Sequence, residues 1–140
     1  MAFSGNYSCN SFRSGLADGT INLSSDTFKL ALYTNAATLD QTTAAYTATG
    51  EVVADGYTAG GEVVTATVST ALTASGSIVY VSFSSPSWSS GLTARGALIY
   101  DVTSGAAICV LDFGSDKTST TSFTVTMPAN TSTSALIRLF

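Results

Sequence analysis

The 140-residue chain contains no histidine, and only 10% of its residues are charged. Ordinary globular proteins carry about 25% charged residues. The absence of histidine excludes Ser-His-Asp and Cys-His catalysis, as well as zinc sites that need an imidazole ligand. The five basic residues are spread singly along the chain, so we expect neither nucleic-acid binding nor a basic membrane anchor.

Three further features are scarce or missing. No apolar run approaches the length of about 18 residues that a membrane span needs. The first residues lack the basic and apolar regions of a signal peptide, so we expect synthesis in the cytoplasm. Only two cysteines occur, Cys9 and Cys109, which is too few for a disulfide framework, and we expect both to be free thiols.

Serine and threonine supply 43 of the 140 residues, and hydrophobic residues supply 45%. Short stretches in which apolar and hydroxyl side chains alternate are separated by turns rich in Gly and Ser, a pattern typical of β-strands. Predicted strands cover 27–33, 62–69, 77–83, 95–101, 106–113, 122–127 and 134–140, with 21–23 or 51–53 as an eighth, and turns cover 103–105 and 114–117. This number and spacing of strands predicts an all-β antiparallel sandwich, jelly-roll-like in preference to immunoglobulin-like.

The N-terminal part of the chain differs from the rest. Residues 9–16 predict a short helix, so we divide the chain into an arm with a helix over 1–24 and a sandwich domain over 25–140. The arm carries Phe3, Tyr7 and Phe12, which indicates docking, either onto the sandwich itself or onto another subunit.

No motif predicts chemistry at a defined site. Asp101 and Asp112 could face each other across a hairpin as a carboxylate pair, but most acidic residues lie in turns. We therefore expect no catalytic residue, no cofactor and no metal. Trp88 lies in a serine-rich loop, where it plugs one end of the sandwich, contacts a protein or stacks on a sugar. Tyr46 and Tyr57, in the long loop before the second strand, present the same choice.

Several segments resemble one known family. They are D-T-F-K-L-A-L-Y at 26–33, Y-T-A-T-G-E-V at 46–52, G-Y-T-A-G-G at 56–61, A-R-G-A-L-I-Y-D at 94–101 and V-L-D-F-G at 110–114. Their order is similar to that in small structural proteins of tailed bacteriophages and prophages. We place the chain beside the head decoration, or cement, proteins, which bind the outside of the capsid shell.

The resemblance implies a non-enzymatic capsid decoration protein that bridges subunits of the major capsid protein. It implies self-association, as a dimer in preference to a trimer, and a place on the virion exterior after synthesis in the host cytoplasm. The predicted interface residues are Phe3, Tyr7, Phe12, Arg13, Tyr46, Tyr57 and Trp88. The alternative is a tail-associated structural protein, or a receptor- or carbohydrate-binding module.

Overall fold

The computed structural model describes residues 3, 5–74 and 76–139. They form one helix, α1 (Asn10–Asp18), and ten strands. The strands are β1 (Tyr7–Ser8), β2 (Phe28–Tyr33), β3 (Glu62–Val64), β4 (Ala66–Thr73), β5 (Gly76–Phe83), β6 (Ser87–Trp88), β7 (Thr93–Asp101), β8 (Ala107–Thr118), β9 (Phe123–Thr124) and β10 (Ile137–Leu139). All strand pairs are antiparallel, which confirms the predicted all-β class.

The largest sheet has five strands in the order β1-β8-β7-β2-β3. On β2, Phe28, Leu30 and Leu32 share one buried face, as the alternation predicts. Ala31 and Tyr33 point to the opposite face and are also fully buried. Tyr33 thus lies on the face opposite Phe28, as the alternation predicts, and that face is buried as well. β2 is an inner strand covered on both sides, and such strands do not show a polar face.

The hairpin formed by β7 and β8 turns at 103–105, as predicted. The second predicted turn, at 114–117, is wrong, because β8 runs through it to Thr118. Gly114 adopts a φ of 83°, and its N–H donates to the Asp112 carboxylate over 2.8 Å. The glycine therefore distorts the strand locally without ending its pairing with β7.

A second sheet of three strands has the order β10-β5-β4. The sequence predicts one strand over 62–69, but the structure has two, β3 and β4, separated by Thr65. β3 pairs with β2 in the large sheet, whereas β4 pairs with β5. The chain thus passes from one sheet to the other at Thr65.

The remaining elements are short. β6 and β9 form a two-stranded sheet, so the predicted strand at 122–127 is reduced to Phe123–Thr124. Neither 21–23 nor 51–53 is a strand; Glu51 makes only an isolated bridge to Tyr33. Helix α1 follows Cys9 and ends at Gly19, whose φ of 82° is typical of a helix C-terminus. No helix in the described part of the chain is long enough to span a membrane.

Two hydrophobic clusters lie on the two faces of the five-stranded sheet. The larger cluster combines Phe28 and Leu30 of that sheet with Val81 and Phe83 of the three-stranded sheet. The second cluster lies under the long loop and the N-terminal segment and includes Tyr33. The N-terminal residues belong to both clusters: Phe12 and Ile21 join the first, Phe3 and Cys9 the second.

Candidate functional site

Asp101 and Asp112, which the sequence allows to face each other, are separated along the hairpin. Asp112 lies opposite Gly96, five residues along β7 from Asp101. At about 3.3 Å per residue, the two positions are about 16 Å apart. Asp112 instead forms an ion pair with Arg95. Partial burial favours protonation of Asp112, but the Arg95 guanidinium and the Gly114 N–H together outweigh it and hold the pKa of that carboxyl below its usual value. The structure therefore contains no carboxylate pair of the kind expected here.

Asp101 has a different acidic neighbour, Asp26. Asp101 is fully buried, and its Oδ1 accepts hydrogen bonds from the N–H groups of Thr103 (2.8 Å) and Ser104 (3.1 Å). Its Oδ2 accepts from no donor in the described part of the chain, and the neighbouring carboxyl is that of Asp26. Burial and then Asp26 raise the pKa of Asp101, while the hydrogen bond from Asp101 lowers the pKa of Asp26. The two hydrogen bonds to Oδ1 fix the turn between β7 and β8.

The cysteines are confirmed as free thiols, and both are buried. Burial raises the pKa of Cys9 to about 11 and raises the pKa of Cys109 well above its usual value. Neither thiol is therefore activated as a nucleophile. In the described part of the chain, no three residues among Cys, Asp and Glu lie close enough together to hold a metal ion.

The most extensive polar network lies in the long loop between β2 and β3 and is centred on Glu51, which is only 7% exposed. Its Oε1 accepts a hydrogen bond from the Tyr46 hydroxyl (2.5 Å). Its Oε2 accepts from the Tyr57 hydroxyl and the Gly60 N–H, both over 2.7 Å. The Tyr57 oxygen also accepts from the N–H of Leu32 in β2 (2.8 Å), which ties the loop to the sheet. Burial and then Glu51 raise the pKa of Tyr57, so its hydroxyl remains a donor.

Glycines in the same loop are required by close packing. Gly61 has a φ of 82°, and a Cβ there would lie 1.8 Å from the carbonyl oxygen of Leu30. Gly50 has a φ of 79°, and its Cβ would lie 2.7 Å from Ala37 Cα. Together with Tyr46, Glu51 and Tyr57, these glycines account for the Y-T-A-T-G-E-V and G-Y-T-A-G-G segments as one loop structure.

The N-terminal segment docks onto its own chain. Phe3 is 3% exposed; its ring packs on Gly96 and lies 5.6 Å below the Arg95 guanidinium. β1 pairs with β8, and Asn6 Oδ1 accepts a hydrogen bond from the Asp112 N–H over 2.6 Å. Of the two docking sites considered for this segment, the structure therefore shows the one on the sheet.

The seven predicted interface residues fall into two groups. Phe3, Phe12, Tyr57 and Trp88 are buried, so they present little surface to a partner, whereas Tyr7 and Tyr46 are partly exposed and Arg13 is exposed. Trp88 is 2% exposed and packs between the rings of Tyr57 (5.7 Å) and Phe123 (6.3 Å). Trp88 is therefore an interior residue, and at this exposure it offers no ring face for sugar stacking.

Two grooves lie beside the N-terminal segment and the last strand. One, of about 400 Å³, is lined by Ser8, Phe12 and Arg13 on one side and by 136–139 on the other. A smaller groove next to it includes Tyr7. The structure thus brings Tyr7, Phe12 and Arg13 together, while Tyr46, Tyr57 and Trp88 belong to the loop network and the interior.

The sequence reasoning missed an exposed part of the three-stranded sheet. Val68 is 48% exposed and Leu72 is 91% exposed, although the alternation of apolar residues over 62–69 does not distinguish Val68 from buried residues such as Val64. The sequence contains one signal for this uncharged exposed surface, because no charged residue occurs between Glu62 and Arg95.

Comparison of the chain with protein-family models, curated proteins and solved structures finds no match.

Proposed function

We propose that this chain is a bacteriophage capsid decoration protein that binds the outer surface of the major capsid protein shell and stabilises it by bridging subunits. The observation that carries the proposal is that the side chains capable of chemistry serve to hold the fold together. Glu51, Asp101 and Asp112 hold loops and turns, and both thiols are buried. A structural part has no need of a free reactive group, in line with the resemblance of the loop segments to small virion proteins.

We also propose that the two sheets form a β-sandwich. Support comes from the larger hydrophobic cluster, which contains side chains from both sheets, and from the passage of the chain between sheets at Thr65. Two sheets that share one core are the usual solution for antiparallel strands with one apolar face. The jelly-roll order of the connections stays a prediction.

The groove between the N-terminal segment and β10 is the capsid contact that we propose. Its floor includes the buried ring of Phe12, its rim includes the exposed Arg13, and Leu139 beside it is 42% exposed. An apolar floor with a cationic rim suits an extended segment of the capsid protein with apolar and acidic side chains. Bridging of subunits held at fixed spacing then adds avidity to each weak contact.

The test is co-sedimentation of the purified chain with undecorated capsid shells of the phage that encodes it. We expect the wild-type chain to sediment with the shells. Arg13→Glu should weaken binding about tenfold, or about 1.4 kcal/mol, because it reverses the charge at the groove rim. Lys117→Glu, an equal charge reversal at an exposed site on β8, is the matched control and should bind like the wild type.

Two outcomes would contradict the proposal. A wild-type chain that does not bind shells, and that immunogold labelling finds on the tail of the virion, would assign it to the tail. Equal losses for Arg13→Glu and Lys117→Glu would keep the capsid as partner but remove the groove as the contact, because only a general charge effect would remain.

A further inference from the structure

The free edge of the three-stranded sheet is formed by β4, an eight-residue strand. No strand within the described residues pairs with its outer side. Natural proteins protect such edges with charged residues, proline, bulges or a covering loop. β4 contains no charged residue and no proline, and it pairs with β5 in a continuous register without a bulge.

The hydrogen-bond pattern shows which residues of β4 face the open edge. Ser84 N–H donates to the Thr65 carbonyl over 2.9 Å, in the same register as the β4–β5 pairing. Hydrogen-bonded pairs alternate along an antiparallel ladder, so the odd-numbered residues bond to β5. Val68, Thr70 and Leu72 therefore direct their backbone N–H and C=O groups outward.

The same three residues carry the exposed side chains of the inner sheet face. Val68 is opposite Val81, which belongs to the larger cluster, so even-numbered residues share the face of that cluster. This face is covered only near the start of β4, because Val68 is 48% exposed and Leu72 is 91% exposed. Outward backbone groups and exposed apolar side chains thus occur on the same residues.

We propose that β4 pairs with β4 of a second copy of this chain, antiparallel and about a two-fold axis at Thr70. In this register Val68 lies opposite Leu72 of the second copy, and Leu72 lies opposite Val68 of the second copy. Each contact covers an exposed apolar side chain, and the ladder uses the outward backbone groups of Val68, Thr70 and Leu72. The result is a continuous six-stranded sheet through two copies.

The absence of charge favours a second copy over another partner. In a two-fold pairing the residue on the axis, Thr70, lies opposite the same residue of the second copy, so a charged side chain there would face a like charge. β4 has no charged residue at this position or at any other, so nothing in the strand opposes self-pairing. Pairing by one strand covers less than the roughly 800 Å² per partner of a standard interface, so we expect a dimer that dissociates on dilution.

The inference specifies the self-association within the proposed function and in that sense rests on it, but its test needs no capsid. Thr70→Cys should form an intermolecular disulfide under mild oxidation, since directly opposite Cα atoms lie about 5.5 Å apart. Thr67→Cys is the matched control: with the axis at Thr70, the two substituted positions lie about 20 Å apart and should not cross-link. The native cysteines are buried and give no background.

A charge substitution supplies the second measurement. Thr70→Lys places two ammonium groups at the axis and should weaken self-association about tenfold or more in sedimentation equilibrium. Thr126→Lys, at an exposed site outside β4, should associate like the wild type. Circular dichroism spectra that match the wild type establish that both variants fold.

The outcomes separate this inference from capsid binding. A wild-type chain that stays monomeric at its highest soluble concentration, or equal cross-linking of Thr70→Cys and Thr67→Cys, would overturn the β4 pairing. Co-sedimentation with shells could still succeed in that case. Conversely, specific cross-linking at Thr70 without shell binding would support the pairing and contradict the capsid role.

Discussion

Glu51 is buried among three donors, and the geometry of the long loop depends on it. Loss of its carboxyl would leave the hydroxyls of Tyr46 and Tyr57 and the N–H of Gly60 without their acceptor. An unsatisfied buried donor costs about 1–3 kcal/mol. The loop carries the Gly61 backbone directly onto β2, so a disturbance at Glu51 reaches an inner strand.

We expect Glu51→Ala to lower the free energy of unfolding by about 3 kcal/mol, since the buried Tyr57 hydroxyl and Gly60 N–H lose their acceptor, as does the partly exposed Tyr46 hydroxyl. Urea denaturation followed by tyrosine and tryptophan fluorescence measures this change. Glu62→Ala, at an exposed glutamate on β3, is the control and should change the free energy by less than about 0.5 kcal/mol. Similar small losses for both variants would show that the network does not stabilise the fold.

The sequence placed these residues near one another but could not assign them a role. Tyr46, Glu51 and Tyr57 occur within one loop, and an aromatic residue in a loop is equally compatible with a core position and with a binding site. Their burial depends on how the loop folds back over β2, which is a long-range property. Asp101 was noted as acidic, but its partner Asp26 lies 75 residues away in the chain.

At the scale of elements, the N-terminal segment is an integral part of the structure. β1 adds an edge to the five-stranded sheet, and Phe3 fills the space over Gly96, beneath Arg95. The ion pair of Arg95 with Asp112, and the hydrogen bond from the Asp112 N–H to Asn6, connect the segment to β7 and β8. The N-terminal segment, which the sequence predicts as part of a separate arm over 1–24, therefore packs against the rest of the chain.

Deletion of residues 1–8 should lower the free energy of unfolding by about 3 kcal/mol or more, because it exposes the site of a buried phenylalanine and removes β1. Guanidinium denaturation of the truncated and full chains measures the loss. Phe3→Leu serves as the matched variant: it keeps most of the apolar volume and should cost less than about 1.5 kcal/mol. A truncated chain as stable as the full one would show that the segment docks without stabilising the sheet.

Strand prediction succeeded where large apolar side chains alternate along the chain, and it failed where the three-dimensional surroundings decide the structure. Phe28, Leu30 and Leu32 alternate with less apolar residues, and their common face is correct. Thr65 gives no sign that the strand changes sheets there, because both halves carry the same Val/Thr pattern. Gly114 is typical of a turn, and residues 113–116 have no partner in β7, yet β8 continues because the pairing resumes at Lys117 and Thr118.

At the scale of the whole molecule, the sheets, the helix and the long loop meet around one larger cluster, so the folded state should be lost as a unit. Global unfolding therefore reports on the protonation of individual carboxyls. Two carboxyls have pKa shifts of opposite direction. The pKa of Asp101 is raised, first by burial and then by Asp26, whereas the pKa of Asp18 is lowered by the hydroxyl and N–H of Thr20.

The raised pKa of Asp101 means that the folded chain holds its proton more tightly than the unfolded chain does. This contribution to stability is complete below the unfolded pKa of about 3.9 and is lost as the pH rises through the folded pKa. Asp101→Asn cannot lose a proton; its Oδ1 can still accept from Thr103 and Ser104, and its amide can donate to Asp26. We therefore expect this variant to become more stable relative to the wild type as the pH rises from about 3.5 to about 8.

Asp18→Asn provides the opposite sign. Its lowered pKa stabilises the folded chain above the unfolded pKa, and this stabilisation is lost as the pH falls, so the variant should become less stable relative to the wild type as the pH rises. Urea denaturation of the three proteins across this range measures both differences. Parallel pH profiles for wild type and Asp101→Asn would contradict the raised pKa of Asp101, because an aspartate with the same affinity for protons in both states contributes no pH dependence.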